Sequence, residues 1–373
     1  MTTCDETKDS RGLQTRAEYE RVIRPFLPPG AFAPDRRHLV RIFIHLLVAL
    51  SGYFVLRTAA SWWVMPLIAM LIGHSMACLL FLAHDVSHSA VVSNRAAKRG
   101  LELLLWGLNV IPPTLWRCLH NQSHHVETNT VRDTDRAYRA CEGTAAIWAY
   151  NRLFFPNRMT PLRHPFVLFH FVTYIVRHVV TSLLPGGAKP SIVTFKPHYT
   201  AAHRLAIVAE LAFIGVVQCG IWWLMRGEWQ RYLFAVPIPL LVASSVAMAY
   251  IWTNHILNPL CEHSDPLIGS TSVIVPRWAD WLHDNFSYHT EHHVFPSMNP
   301  RYYPEVSALL LRFFPDRYNR IPFREAWRRI WRQGEFIRED TPRKRTGLLR
   351  PSCCHALLLL EPVFGSSIRM PLL

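Results

Sequence analysis

Four long apolar runs, arranged as two pairs, constrain the fold of this 373-residue chain more than any other feature. The first pair occupies 39–56 (LVRIFIHLLVALSGYFVL) and 62–83 (WWVMPLIAMLIGHSMACLLFLA), with only RTAAS between them. The second occupies 205–225 (LAIVAELAFIGVVQCGIWWLM) and 232–252 (YLFAVPIPLLVASSVAMAYIW), joined by RGEWQR. At the rise of an α-helix, runs of about 18 to 22 residues cover roughly 27 to 33 Å, which matches a hydrocarbon core. A helix also satisfies its own backbone polar groups in lipid. The predicted fold is therefore all-α and integral to the membrane, with four transmembrane helices in two hairpins and a cytoplasmic helical cap.

Composition agrees with this reading. Half of the residues are hydrophobic and only 18% are charged, against about a quarter in soluble domains. Each hairpin returns the chain to the side it left, so the N-terminus, the 84–203 segment and everything after 253 share one side. That side carries most of the Lys and Arg, including Arg36, Arg37, Lys98, Arg99, Arg328, Arg329 and Arg332, and reads as cytoplasmic. The net charge of +14 then faces anionic lipid, and the basic residues flank spans without forming the compact run that nucleic acid would require. Three regions follow: a cytoplasmic N-terminal segment (1–38), a membrane domain (39–338) and a disordered tail (339–373). The stretch 101–113 reads as an interfacial or partly inserted helix, and 164–184 as an amphipathic helix lying on the surface. The eight cysteines include no C-x-x-C pair, so no zinc ribbon or redox motif is expected.

Twenty histidines are the second anomaly, and three clusters hold eight of them: HDVSH (84–88), HNQSHH (120–125) and HTEHH (289–293). Residues at i, i+3 and i+4 share a helix face, so each cluster presents two or three imidazoles in one direction. All three lie on the cytoplasmic side and can meet there without another crossing. A single histidine on an apolar face is ordinarily a packed residue, and His38, His45, His170, His178, His198, His203 and His355 are read so. Three clusters on one side of a four-span protein make a metal site. Their imidazoles exceed what one zinc needs and suit two metals, each with an open position. Ligand type alone leaves zinc, copper, iron and nickel open.

The order H-x-x-x-H, H-x-x-x-H-H, H-x-x-H-H between two membrane hairpins resembles the membrane-bound fatty acid desaturase superfamily, which also includes alkane and acyl hydroxylases and carotenoid-modifying oxygenases. The matching stretches are FLAHDVSHSAVV (81–92), WRCLHNQSHHVETNTVRDTDR (116–136) and HDNFSYHTEHHVFPSMNPRYYPEV (283–306). The resemblance implies a non-haem diiron site that activates O2 against an unactivated C–H bond. By carry-over, His84, His88, His120, His124, His125, His289, His292 and His293 would be catalytic iron ligands. The family commonly adds a His or Asn beyond the fourth span, and His255 or His263 could fill that place; His255 is favoured because it lies immediately beyond the last apolar turn.

Asp85, Glu127, Asp133, Asp135, Asp284 and Glu291 are candidates to orient the imidazoles, with Asn121 and Asn129 in the same loop. His74, inside the second span, is a candidate outer residue, because a polar group there is costly unless partnered. Trp106, Trp116, Phe286 and Tyr288 flank the clusters and are candidate linings for an acyl tunnel. Electrons are expected from a separate ferredoxin, rubredoxin or cytochrome b5, since the segment LPGG (184–187) lacks the histidine of a b5 haem motif. The resulting expectation is a desaturase acting on a lipid acyl chain. A hydroxylase of an alkyl, sphingoid or terpenoid lipid is the alternative. A non-enzymatic metal transporter would need a polar path through the spans, and only Arg41, His45, His74 and Glu210 offer one.

Overall fold

The computed structural model describes residues 12–58, 61–135, 150, 153–156, 168–185, 193, 195–259 and 261–332. Four helices in it are long and apolar enough to cross a membrane: Arg37–Thr58, Val64–Ser87, Ala201–Leu224 and Trp229–His255. Each contains or overlaps one of the four apolar runs. Among the described residues the only sheet is a parallel pair of three-residue strands, Ser272–Ile274 with Arg320–Pro322. The chain is thus an all-α membrane protein. The fourth span breaks once at Val236, because Pro237 has no N–H to continue the hydrogen-bond ladder, and resumes as Pro237–His255.

The second span is the axis of the bundle and packs against the first and the fourth. Glycines make that approach close. A Cβ on Gly73 would lie 2.5 Å from Val242 Cβ and 2.8 Å from the Pro239 carbonyl oxygen, and one on Gly52 would lie 2.6 Å from Ile72 Cγ1. Small residues serve this purpose in membranes, where dispersion between closely packed helices replaces a hydrophobic driving force. The outer faces stay apolar and bare, as at Val40, Phe43 and Phe54 on the first span and Leu205, Val216 and Trp223 on the third. Such a surface suits lipid and would be a liability in water.

The connecting ends of the two hairpins meet, since Arg57 donates to the Leu224 carbonyl at 3.2 Å and Arg231 to the Arg57 carbonyl at 3.0 Å. At the opposite end the second and fourth spans deliver His84 and His255 beneath a cap of short helices. The cap core joins Tyr19, Ile23 and Leu27 to Val294, Phe295, Tyr303, Val306 and Leu310. The described part of the N-terminal segment is therefore built into the cap. Asp265 locks it there: Tyr19 donates to Asp265 at 3.0 Å, the Gln14 backbone N–H at 2.7 Å and Arg317 Nη2 at 2.5 Å. Removing one partner from a buried pair of this kind costs about 3–5 kcal/mol.

Two further helices flank the bundle. Arg95–Leu108 is capped by Asn94, whose side chain accepts from the Ala97 N–H at 2.9 Å, and it stops before Pro112 and Pro113. The amphipathic stretch near 164–184 is described from residue 168, as the helix His170–Leu183. Fourteen residues reach only about 21 Å, short of a span. Its polarity is the reverse of a surface helix in water: His170, Tyr174, Arg177 and His178 are buried, whereas Val172, Val176, Val180 and Leu183 are exposed. The polar face turns inward because Tyr150 and Asp135 meet it, Tyr150 OH lying 3.1 Å from His170 Nδ1 and Tyr174 donating to Asp135. The 339–373 tail and the two glycines of the LPGG segment lie outside the described residues.

Candidate metal centre

Three helical devices aim the clustered histidines. His84 sits in the last turn of the second span and His88 at its C-cap, one turn further on. The short helix His289–Val294 carries the third cluster, and Thr290 and Glu291 fasten it to the strand Ser272–Ile274, with the Thr290 N–H donating to Ser272 Oγ at 3.0 Å. The middle cluster departs from the helix geometry expected of it. Residues Arg117–His124 form a π-helix, and the His125 N–H reaches the His120 carbonyl at 3.0 Å. That wider turn, common at functional sites, brings His120 and His125 to one side, with their Nε2 atoms 3.1 Å apart.

Nine imidazoles converge, and they divide into two groups. His84, His88, His120, His125 and His292 form one; His124, His255, His289 and His293 form the other. Within each group the prospective ligand atoms lie within 4.8 Å of one another. The division cuts across the clusters, because His124 parts from its neighbours and His292 parts from His289 and His293. His255 stands in the second group, its Nε2 2.6 Å from that of His289. His263 is exposed and belongs to neither group.

The ring nitrogens are arranged as a donor set for cations. In the first group Nε2 of His120 faces Nε2 of both His84 (3.0 Å) and His125, and His125 also faces His292 at 3.0 Å. In the second, His293 faces His124 at 3.2 Å and His289 at 3.1 Å. Each Nε2 can make one hydrogen bond, so chains of facing nitrogens cannot all be satisfied by one another. A shared cation satisfies them together. The buried His88 Nε2 has no hydrogen-bond partner among the described residues, which suits an atom that ligates a metal.

The outer nitrogens explain why the inner ones point in. His84 Nδ1 lies 3.2 Å from Asp85, His120 Nδ1 3.1 Å from Asp135, and His124 Nδ1 2.8 Å from Asp133. His292 Nδ1 is held by Tyr303 OH at 3.1 Å, His293 Nδ1 by Thr128 Oγ1 at 3.2 Å, and His255 Nδ1 by the Gly269 carbonyl at 3.3 Å. A proton kept on Nδ1 leaves the Nε2 lone pair for a metal. Of the six candidate carboxylates, Asp85, Asp133 and Asp135 hold imidazoles of the two groups. Glu127 pairs with Arg132, Asp284 with Arg41 and His38, and Glu291 accepts from Ser272 and Tyr318. Asn129 donates its backbone N–H to Asp133 at 2.7 Å and its side-chain amide to the Pro259 carbonyl at 3.2 Å, tying the loop to the end of the fourth span. Asn121 donates to the Ser87 carbonyl. Thr128, Tyr303 and the Gly269 carbonyl were not legible in the sequence, since a hydroxyl or a carbonyl becomes a histidine partner only through the fold.

The electrostatics keep most of these rings neutral, which is their ligand form. Burial, reinforced by neighbouring imidazoles, holds His88, His125, His289, His292 and His293 well below the ordinary histidine value. Burial pushes His120 down to about 3 against the opposing pull of Asp135. Burial also opposes charge on His124, but Asp133 and Asp135 outweigh it and raise its pKa. Asp135 is lowered despite its burial, chiefly by His124 and His120 and by the hydrogen bond from Tyr174.

Two openings reach the centre from different sides. A cavity of about 350 Å³ in the cap is lined by Arg16, Arg24, Asn121, His88 and His125. A small void of about 20 Å³ touches His84, His120, His124, His255 and His289, with Trp116, Phe286 and Leu80 as apolar walls. Leu80 also lines a second apolar cavity of about 100 Å³ between the second and fourth spans and the helix His170–Leu183. Of the aromatic candidates, Trp116 stacks on His120 and Phe286 meets His84, whereas Trp106 packs one layer behind Trp116 and Tyr288 faces Arg320 in the cap.

The comparison with known proteins agrees with this architecture. The family model described as fatty acid desaturase matches residues 60–325. The chain belongs to the fatty acid desaturase family. It is 23% identical over 244 residues to a protein of Bacillus subtilis (strain 168) named fatty acid desaturase, covering 61% of this chain and 63% of the relative. It is 21% identical over 333 residues to a Delta 8-(E)-sphingolipid desaturase of Komagataella phaffii (strain GS115 / ATCC 20864), covering 83% of this chain and 58% of the relative. The chain thus spans about three-fifths of the length of these relatives. The histidine groups could hold metal ions.

Proposed function

We propose that this chain is a multi-pass membrane desaturase that uses O2 and a non-haem diiron centre to insert a double bond into a lipid acyl chain. The observation that carries this reading is the pair of adjacent, buried, all-nitrogen groups beside an apolar cavity. His84, His88, His120, His125 and His292 would hold one iron, and His124, His255, His289 and His293 the other. Bound there, the two irons would supply the power to activate O2 and remove hydrogen from an unactivated C–H bond. The chain's own residues do the rest. The Nδ1 partners of His84, His120, His124, His255, His292 and His293 would hold those lone pairs on target, Trp116 and Phe286 would exclude water from the reacting side, and the two apolar cavities that Leu80 lines would mark where an alkyl chain enters from the bilayer.

The positive-inside pattern supports a cytoplasmic face for the cap and the active site. The cap opening that reaches His88 and His125, rimmed by Arg16 and Arg24, suits a separate acidic electron donor such as a ferredoxin, rubredoxin or cytochrome b5. A transport function finds little support, because Glu210 is tied down by Arg99 and by the Thr114 N–H at 2.9 Å, so it lines no path. Lipid analysis of cells expressing the chain with a compatible reductase tests the reading. The expected product is an acyl chain lighter by two hydrogens. An added oxygen would instead establish the hydroxylase, and a modified sphingoid base would move the substrate to sphingolipids.

A further inference from the structure

A third ligand cluster lies apart from the nine histidines. His74 and Cys78 stand one turn apart on the second span, so they share a face. His283 approaches them from the segment after the helix Arg277–Leu282, six residues before the third histidine cluster. The His283 and His74 Nε2 atoms are 3.3 Å apart, Cys78 Sγ is 3.9 Å from His74 Nδ1, and one ligand atom from each residue fits within 4.8 Å of the others. Tyr250 OH lies 2.9 Å from His283 Nδ1 and leaves Nε2 turned toward His74. This repeats the pattern by which Tyr303 holds His292 in the main centre. Phe81 and Phe286, with ring centroids 4.5 Å apart, separate the cluster from His84.

The donor set and its spacing select a metal. Around a tetrahedral zinc, with Zn–N about 2.0–2.1 Å and Zn–S about 2.3 Å, donor atoms sit roughly 3.3–3.6 Å apart. The two short separations involve different nitrogens of His74, and a single zinc would take His74 through one of them; one ligand atom from each residue lies within 4.8 Å of the others, so rotation of the side chains would close the set to zinc distances. One thiolate with two imidazoles favours zinc, whereas the main centre offers nitrogen alone. The cluster also answers why a histidine stands inside a span, where a polar group is costly unless it serves a partner. On the neighbouring first span the buried His45 Nδ1 has no hydrogen-bond partner among the described residues, and it is available nearby as a further nitrogen.

We propose that His74, Cys78 and His283 form a zinc site, separate from the nine-histidine centre, that clips the second span to the segment leading into the third histidine cluster. Binding takes Cys78 as its thiolate and releases the thiol proton to solvent; no electron is exchanged. The site fixes the distance between His84 on the span and His289 beyond the segment, and so braces both metal groups.

The test uses the full chain purified in detergent from cells supplied with both iron and zinc. Metal per chain and zinc X-ray absorption are measured for the wild type, Cys78→Ser, His74→Gln and His124→Ala. The expected result is about one zinc per wild-type chain with one sulfur neighbour near 2.3 Å. That zinc should fall to background in Cys78→Ser and His74→Gln while iron stays, and persist in His124→Ala while iron falls. Zinc with nitrogen neighbours only, or zinc equal in wild type and both clip variants, would overturn the proposal and point to zinc misplaced in the main centre. If the variants fail to fold, Co2+ titration of the wild type decides. A thiolate-to-cobalt charge-transfer band supports the site, and its absence overturns it.

Discussion

The two histidine groups are built from the same side chain yet face different surroundings. The five-residue group meets the cap opening through His88 and His125 and the small void through His84 and His120, whereas the four-residue group borders only the void. Their supports differ as well. Asp133 holds His124 in complete burial, while Asp85, which holds His84, also faces His38. One group is thus open toward the cap, while both border the void.

The strongest way to break this comparison is to remove one ligand from each group. His124→Ala should lower activity more than 100-fold and lose metal, because the four-residue group has no spare ligand. His88→Ala should cost less, since four imidazoles remain in its group; equal losses in turnover and in metal per chain would show that the groups act as one. Next in size is Asp133→Asn, expected to cost about 10–100-fold in metal affinity or activity, as outer partners of metal-bound histidines do. Asp85→Asn beside it should cost less, and the reverse order would reject the asymmetry. Smallest is Leu80→Trp, which should fill the junction of the two apolar cavities. Turnover of long acyl chains should fall about tenfold, the scale of a steric change in an apolar pocket, with metal content unchanged. Unchanged turnover would mean that the substrate approaches by another route.

Much of this was legible in the residues, for identifiable reasons. The spans were legible because a bilayer demands some twenty apolar residues, and that demand is local in sequence. The ligand type was legible because imidazoles clustered on short spacings serve metals, and Asp85, Asp133 and Asp135 stand close to the rings they hold. The inward-facing His170, Arg177 and His178 were less legible, because an amphipathic pattern gives two faces without saying which one meets protein.

By itself, then, the sequence determined an all-α membrane chain with histidine groups gathered near the ends of two hairpins, since periodicity, apolar length and residue type act over a few turns. Only the tertiary structure decided how the rings are shared. The π-turn at Arg117–His124 rotates His120 and His125 away from His124, and the short helix His289–Val294 divides its own three rings between the two groups. Tyr303, Thr128 and the Gly269 carbonyl joined the centre, and His74 found Cys78 and His283, for the same physical reason. Orientation of a ligand depends on which groups packing brings to its second nitrogen, and those partners lie up to 165 residues away.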